Sequence, residues 1–221
     1  EGMAGYSAGW PGQSIVDALN YVNRIMLTRG IYNPKIAAVS ISTNGASIAG
    51  DLPCATGSIG AQIDQIAGEL RAKGIAVVMS AGNDAVNGTG TWTCGSNVIA
   101  VGATGVVNPT LPASYSNISQ RTSLFAPVGT ANRASGDFIF LPYGPGGTGT
   151  FWGTSFSAPQ VAGAFAVLRQ KFGDAPSVAS LAQLLKSTGK PLTGPRAGLA
   201  ATGAVSIDIK AALSGTPPAI K

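Results

Sequence analysis

Apolar positions along this chain follow two periods. Ile15, Leu19, Val22 and Met26 recur every three or four residues, the spacing of one helical face, and Ser14 and Gly30 are placed to cap and stop a helix that reaches Arg29. Lys35 to Ser42 (KIAAVSIS) is a short, nearly continuous apolar run, as expected of a buried strand. Ser58 then stands before a second helical pattern, IGAQIDQIAGELRAK, which Gly74 closes. Shorter strand-like runs follow at Ile75–Met79, Asn97–Val101 and Ser123–Ala126. A third helix is predicted from Ser155 to about Phe172, and Ser177 and Ser206 are placed to cap two more, over VASLAQLLK and IDIKAAL. The tail Thr216–Lys221, with Pro217 and Pro218, reads as extended, and residues 1–12 as a Gly-rich loop. Strands alternating with helices predict βαβ units: an α/β fold whose mostly parallel sheet is sandwiched between helices.

Composition narrows the class. Hydrophobic residues make up 45% of the 221 and charged residues only 10%, which excludes a disordered chain and suits one globular domain with a sizeable core. The net charge of +5 is scattered rather than gathered into a stripe, so no nucleic-acid surface is expected. No apolar run is long enough to span a membrane, and no signal peptide is visible. Two cysteines, Cys54 and Cys94, in a Gly/Ser/Thr-rich chain of low charge favour one disulfide and a secreted protein. Asn87-Gly88-Thr89 and Asn117-Ile118-Ser119 match the glycosylation sequon. There is no histidine, and that absence constrains the chemistry more than any other count.

Two segments carry chemistry. Gly153-Thr154-Ser155-Phe156-Ser157-Ala158-Pro159 opens an apolar helical run, so Ser155 stands where free N–H groups and the helix dipole favour negative charge. Read alone, it is equally a serine capping a core helix. Ala81-Gly82-Asn83 follows the strand IAVVM, and ligands of open parallel sheets bind beyond the carboxyl ends of the strands. Read alone, Asn83 is an ordinary turn residue.

The order of blocks decides between these readings. AGN, NVIAVGAT, SYSNISQRTSLFAP and GTSFSAPQVAG together resemble the subtilisin-like serine protease family from Lys35 to the C-terminus. The resemblance implies that Ser155 is the nucleophile and that the Asn83 amide donates to the oxyanion. It implies that Ser40, Ile41, Ser42, Thr43, Asn44 and Gly45 pair with the substrate backbone as an added strand. Ser80, Ala81 and Gly82 would form the opposite wall of the specificity pocket. Cys54 and Cys94 match a disulfide seen in some secreted members, and PRAGLAATGAVSIDIKAAL matches the close of the catalytic domain. Asp84 falls at the specificity pocket, where a carboxylate favours a basic substrate residue; the plainer reading is a solvated loop aspartate. Many members bind calcium, but no carboxylate cluster marks a site, so no metal ligand or other cofactor is assigned.

The family orders its triad Asp, His, Ser. Glu1 to Gln13 resembles the stretch after the histidine block, so residues 1–221 read as a single partial domain, incomplete at its N-terminus, with the Asp and His blocks absent. Three explanations follow: one piece of a cleaved two-chain protease, with a partner segment supplying Asp and His; a truncated protease; or a non-catalytic relative that keeps its groove for peptides. The histidine-free sedolisin chemistry fits poorly, because it needs an Asp in place of Asn83 and a Glu four residues before an Asp, where this chain has Gln13 and Asp17.

Overall fold

The computed structural model describes residues 12–26, 36–131 and 135–220. The expectations placed on Arg29, Gly30, Lys35, residues 1–11 and the Met26 side chain fall outside them.

Among the described residues six strands form the main sheet: β1 (Ala38–Ile41), β2 (Ala76–Ser80), β3 (Val98–Thr104), β4 (Leu124–Pro127), β7 (Lys190–Pro191) and β8 (Val205–Ser206). Their spatial order is β1-β2-β3-β4-β8-β7, parallel throughout except where β7 runs against β8. The helices are α1 (Gly12–Asn20), continued by a wider π-helical stretch over Tyr21–Met26, α2 (Ile59–Ala72), α3 (Thr154–Phe172), α4 (Val178–Thr188) and α5 (Ile209–Ser214). A separate antiparallel hairpin pairs β5 (Ile139–Tyr143) with β6 (Gly147–Phe151).

Strand alternation divides the core. Ala76 and Val78 of β2 face one side and pack with Val161, Phe165 and Leu168 of α3 and with α4. Val77 and Met79 face the other, against Ile63, Ile66 and Leu70 of α2 and Val16 and Leu19 of α1. β2 is thus buried on both faces, which is why its sequence is apolar without interruption. The expected α/β sandwich is the observed one.

Local chemistry sets most helix starts. The Ser58 and Ser177 hydroxyls accept from the N–H of Ala61 (3.2 Å) and Ser180 (3.1 Å), as predicted. Ser206 does not cap a helix. It lies in β8, where Val205 and Ser206 pair with β4, and Asp208 caps α5 by accepting from Ala211 N–H at 2.9 Å. The two-residue strand takes the position that the cap would have needed. Ser14 sits inside α1, which begins at Gly12.

Cys54 and Cys94 are disulfide-bonded, 40 residues apart in sequence. The bond ties the loop before α2 to the turn before β3. Closing such a loop stabilises by about 4 kcal/mol on the chain-entropy account. Thiol titration of the unreduced, denatured protein is therefore expected to find no free thiol, and a Cys54→Ala/Cys94→Ala pair to lower the unfolding free energy by about that amount.

Candidate active site

β1 and β2 are parallel neighbours, so both release their chains at the same edge of the sheet. The N-terminus of α3 meets them there. A cleft of about 410 Å³ is lined by residues 42–47 beyond β1, by Ser80, Gly82, Asn83 and Asp84 at and beyond the end of β2, and by Thr154 and Ser155. The sequence-predicted residues Ser42, Thr43, Asn44, Gly45, Ser80, Gly82, Asn83 and Ser155 are brought together. Ser40 and Ile41 belong to β1 itself, and Ala81 is fully buried with its N–H bonded to Val101.

Gly153 caps α3 at φ +119°, a backbone conformation L-residues rarely adopt. An added Cβ there would lie 3.3 Å from the Asn83 Nδ2. Gly153→Ala is expected to cost about 1–3 kcal/mol of stability through this strain, read as a lower denaturant midpoint.

Thr154, fully buried, links the two loops. Its hydroxyl accepts from Gly82 N–H (3.1 Å) and donates to Asn83 Oδ1 (2.9 Å); its own N–H donates to the same Oδ1 (2.9 Å). With Oδ1 taken by two donors, the Asn83 Nδ2 is the group left to donate, and Asn83 and Ser155 line the same cleft. Ser155 is half-buried in the first helical turn, where its N–H has no partner within the helix.

The Ser155 hydroxyl donates to the Ser42 carbonyl at 3.0 Å, and the Ser42 hydroxyl donates back to the Ser155 carbonyl at 3.0 Å. Pro159 leaves the Ser155 carbonyl without a helical partner. In a regular helix the residue-159 N–H would bond the residue-155 carbonyl, and proline has none. The freed carbonyl anchors the turn to Ser42.

A polar network lies beneath the far side of the cleft. Asn44 and Asn117 both donate to Ser47 Oγ (3.1 and 2.8 Å) and to the Ala81 carbonyl (3.0 and 3.1 Å). Ser47 donates to the Asp84 carboxylate at 2.5 Å, so Asp84 is a hydrogen-bonded member of the cleft wall. Asn117 is fully buried, and its Oδ1 accepts from Asp84 and Val86 N–H; that sequon is closed in the folded protein, whereas Asn87 is exposed. The Gln13 amide donates to Asp17 (2.9 Å), an ordinary helical pair.

Tyr115 supports the turn from behind. Its hydroxyl accepts from Gly153 N–H (3.0 Å) and donates to the Gly129 carbonyl (2.7 Å), and its ring lies 4.8 Å from that of Trp152. Burial is the main reason that the phenol is pushed up to about 12. The stabilisation linked to that shift is complete below pH 10 and disappears as pH rises through about 12. A Tyr115 phenolate band is expected only at that upper limit.

Asp137 anchors the loop before the hairpin. It is buried, and Val106 and Val107 N–H donate to Oδ1 (2.6 and 3.0 Å) while the Thr130 N–H and hydroxyl donate to Oδ2 (3.1 and 2.7 Å). Burial alone would raise its pKa; the four donors outweigh burial and hold it below the ordinary carboxylate range. A depressed folded value contributes stability above the unfolded pKa of about 3.9 and loses it as pH falls through the folded value. Asp137→Asn is expected to destabilise by about 3 kcal/mol at neutral pH, with the difference from wild type shrinking in denaturant titrations below about pH 4.

Thr154 and Tyr115 were not singled out from sequence, and Ser42 was expected only to pair with the substrate backbone. The Thr of GTS was the one available signal. Among the described residues no three His, Cys, Asp or Glu side chains converge to hold a metal ion. Among them, too, no helix is long and apolar enough to cross a membrane.

The subtilase family model matches residues 9–204, and the chain belongs to the subtilase family. It is 34% identical over 146 residues to an extracellular protease of Xanthomonas campestris pv. campestris, covering 65% of this chain and 25% of that protein. The chain thus spans a quarter of the length of that curated relative. Its fold is similar to that of a lanthipeptide protease (TM-score 0.72, 21% identity, 94% of this chain and 67% of that one). It is also similar to the prenylagaramide maturation protease PagA (TM-score 0.67, 19% identity, 96% and 70%) and the patellamide maturation protease PatA (TM-score 0.67, 21% identity, 92% and 68%).

Proposed function

We propose that these residues form the nucleophile-bearing part of a secreted subtilisin-like serine endopeptidase. The observation that supports this most directly is the hydrogen bonding of Asn83: Thr154 occupies its oxygen twice, which leaves the amide nitrogen to donate in the cleft that Ser155 also lines. Ser155 attacks the scissile carbonyl, and the carbonyl oxygen becomes an oxyanion between the Asn83 Nδ2 and the Ser155 N–H. Collapse expels the amine and leaves an acyl-serine, which water hydrolyses. The substrate is a peptide or protein, laid along residues 40–45 with its side chain against Ser80–Gly82.

The Ser42 carbonyl that receives the Ser155 proton is not a base and cannot remove it. The chain has no histidine, so the base and its aspartate come from a segment outside these 221 residues. Two features support such a segment. Among the described residues β1 has no neighbour on its outer edge, and an apolar groove of about 380 Å³ lies between β1 and Ile15, Leu19 and Val22. Secretion is supported by the disulfide and by the extracellular relative.

The missing histidine also favours a second reading, a pseudoprotease that uses the same groove to hold peptides. An acid-quenched turnover of an activated ester by the full-length native protein separates the two. An acyl adduct on the peptide containing Ser155 is expected. Binding of peptides with no adduct and no cleavage would favour the pseudoprotease.

A further inference from the structure

Four backbone carbonyls from two separate segments converge on one side chain that does not itself line the cleft. The Arg196 Nη1 donates to the carbonyls of Ala113 (2.8 Å) and Ser114 (2.7 Å), and its Nη2 to those of Ser116 (2.8 Å) and Ala85 (3.4 Å). Carbonyl oxygens turned towards one point repel each other unless a cation lies between them. A guanidinium supplies both the charge and a planar fork of donors, which a lysine ammonium cannot match in shape.

The two segments are those that carry the candidate oxyanion donors. Ala85 ends the turn Asn83-Asp84-Ala85 and holds φ +59°, a left-handed conformation that costs an alanine about 1–2 kcal/mol. Its N–H donates to the Tyr115 carbonyl (2.9 Å) and its carbonyl turns to Arg196. Ala113, Ser114 and Ser116 flank Tyr115, whose hydroxyl receives the Gly153 N–H at the start of α3. One guanidinium therefore holds the Asn83 turn on one side and, through Tyr115, the Gly153–Ser155 turn on the other.

We propose that Arg196 is a positioning residue that fixes the distance between the Asn83 amide and the Ser155 N–H. This rests on the reading of those two groups as oxyanion donors. Arg196 does not line the cleft, so its loss is expected to act on the transition state rather than on binding. Small displacements of catalytic groups are costly: about 1 Å from a remote mutation can cost a hundredfold.

The test uses the full-length native protein and two variants. In Arg196→Ala, kcat is expected to fall at least about tenfold with KM nearly unchanged. Sub-denaturing guanidinium chloride is expected to restore part of it, and sodium chloride at matched ionic strength is not. Arg196→Lys, which keeps the charge without the fork, is expected to fall between wild type and Arg196→Ala and covers the case in which the alanine variant does not fold. Hydrogen exchange provides a readout independent of activity: the Ala85 and Gly153 amides are expected to exchange faster in both variants. Unchanged exchange at both amides in a folded variant would overturn the proposal whether or not the protein is a peptidase. So would a kcat equal to that of wild type. Faster exchange in a protein whose wild type cleaves no peptide would support the clamp and count against the peptidase reading alone.

Discussion

Replacing Ser155 by alanine is expected to abolish peptide hydrolysis by the complete protein, with a fall in kcat of about a millionfold, the magnitude known for the nucleophile of subtilisin itself. The substitution removes the attacking oxygen, and no neighbour replaces it. The Ser42 hydroxyl is committed to the Ser155 carbonyl at 3.0 Å. That bond uses the backbone, which alanine keeps, so the turn at the start of α3 survives. The bond lost is Ser155 Oγ to the Ser42 carbonyl, at a half-exposed position. Thermal stability is therefore expected to change little, while substrate binding along residues 40–45 persists. Loss of activity with retained peptide affinity distinguishes a missing nucleophile from a damaged fold.

Asn83→Ala is expected to lower kcat by about 10²–10³, the magnitude established for the equivalent asparagine of subtilisin. The structure adds a second consequence. Asn83 Oδ1 receives both the N–H and the hydroxyl of buried Thr154, so alanine leaves two donors without their partner. A stability loss of about 1–3 kcal/mol accompanies the kinetic one. Asn83→Asp separates the two effects. An aspartate oxygen still accepts from Thr154, so the fold is held. The other oxygen brings negative charge to the place where the oxyanion forms. The aspartate variant is expected to be more stable than the alanine variant and slower still in turnover, measured as kcat beside the denaturant midpoint. An aspartate variant as fast as wild type would mean that Asn83 does not face the reacting carbonyl.

Much of the fold was legible because it is written locally. The uninterrupted apolar run of β2, the 3.6-residue spacing of α2 and the caps Ser58 and Ser177 depend on neighbours within a few residues. The motifs GTSFSAP and AGN marked the two loops that the cleft unites. The hairpin β5–β6 lay outside the predicted elements because glycines and prolines interrupt its alternation: Ile139 and Leu141 face Phe151 and Gly149, and Pro142 stands opposite Thr148. Ser206 looked like a cap because a serine before an apolar run suits either a cap or a short buried strand.

The supporting contacts of the site were not legible for a different reason. Ser42 and Ser155 are 113 residues apart, Tyr115 and Gly153 are 38 apart, and Arg196 reaches carbonyls 80 to 111 residues away. Each relies on a backbone group, which carries no residue identity. Pro159 shows the principle. Its missing N–H leaves the Ser155 carbonyl without a helical partner, and only the assembled fold brings Ser42 to that carbonyl.

The central claim is that Ser155 becomes a nucleophile when a base from outside these 221 residues reaches it. The direct test is labelling with a fluorophosphonate probe, mapped by mass spectrometry, on the full-length native protein and on the same protein with the histidine of the added segment replaced by alanine. The account predicts a single phosphonylated residue, Ser155, in the first and none in the second. Native protein that cleaves peptides while Ser155 stays unlabelled, or labelling that is indifferent to the histidine, would contradict it.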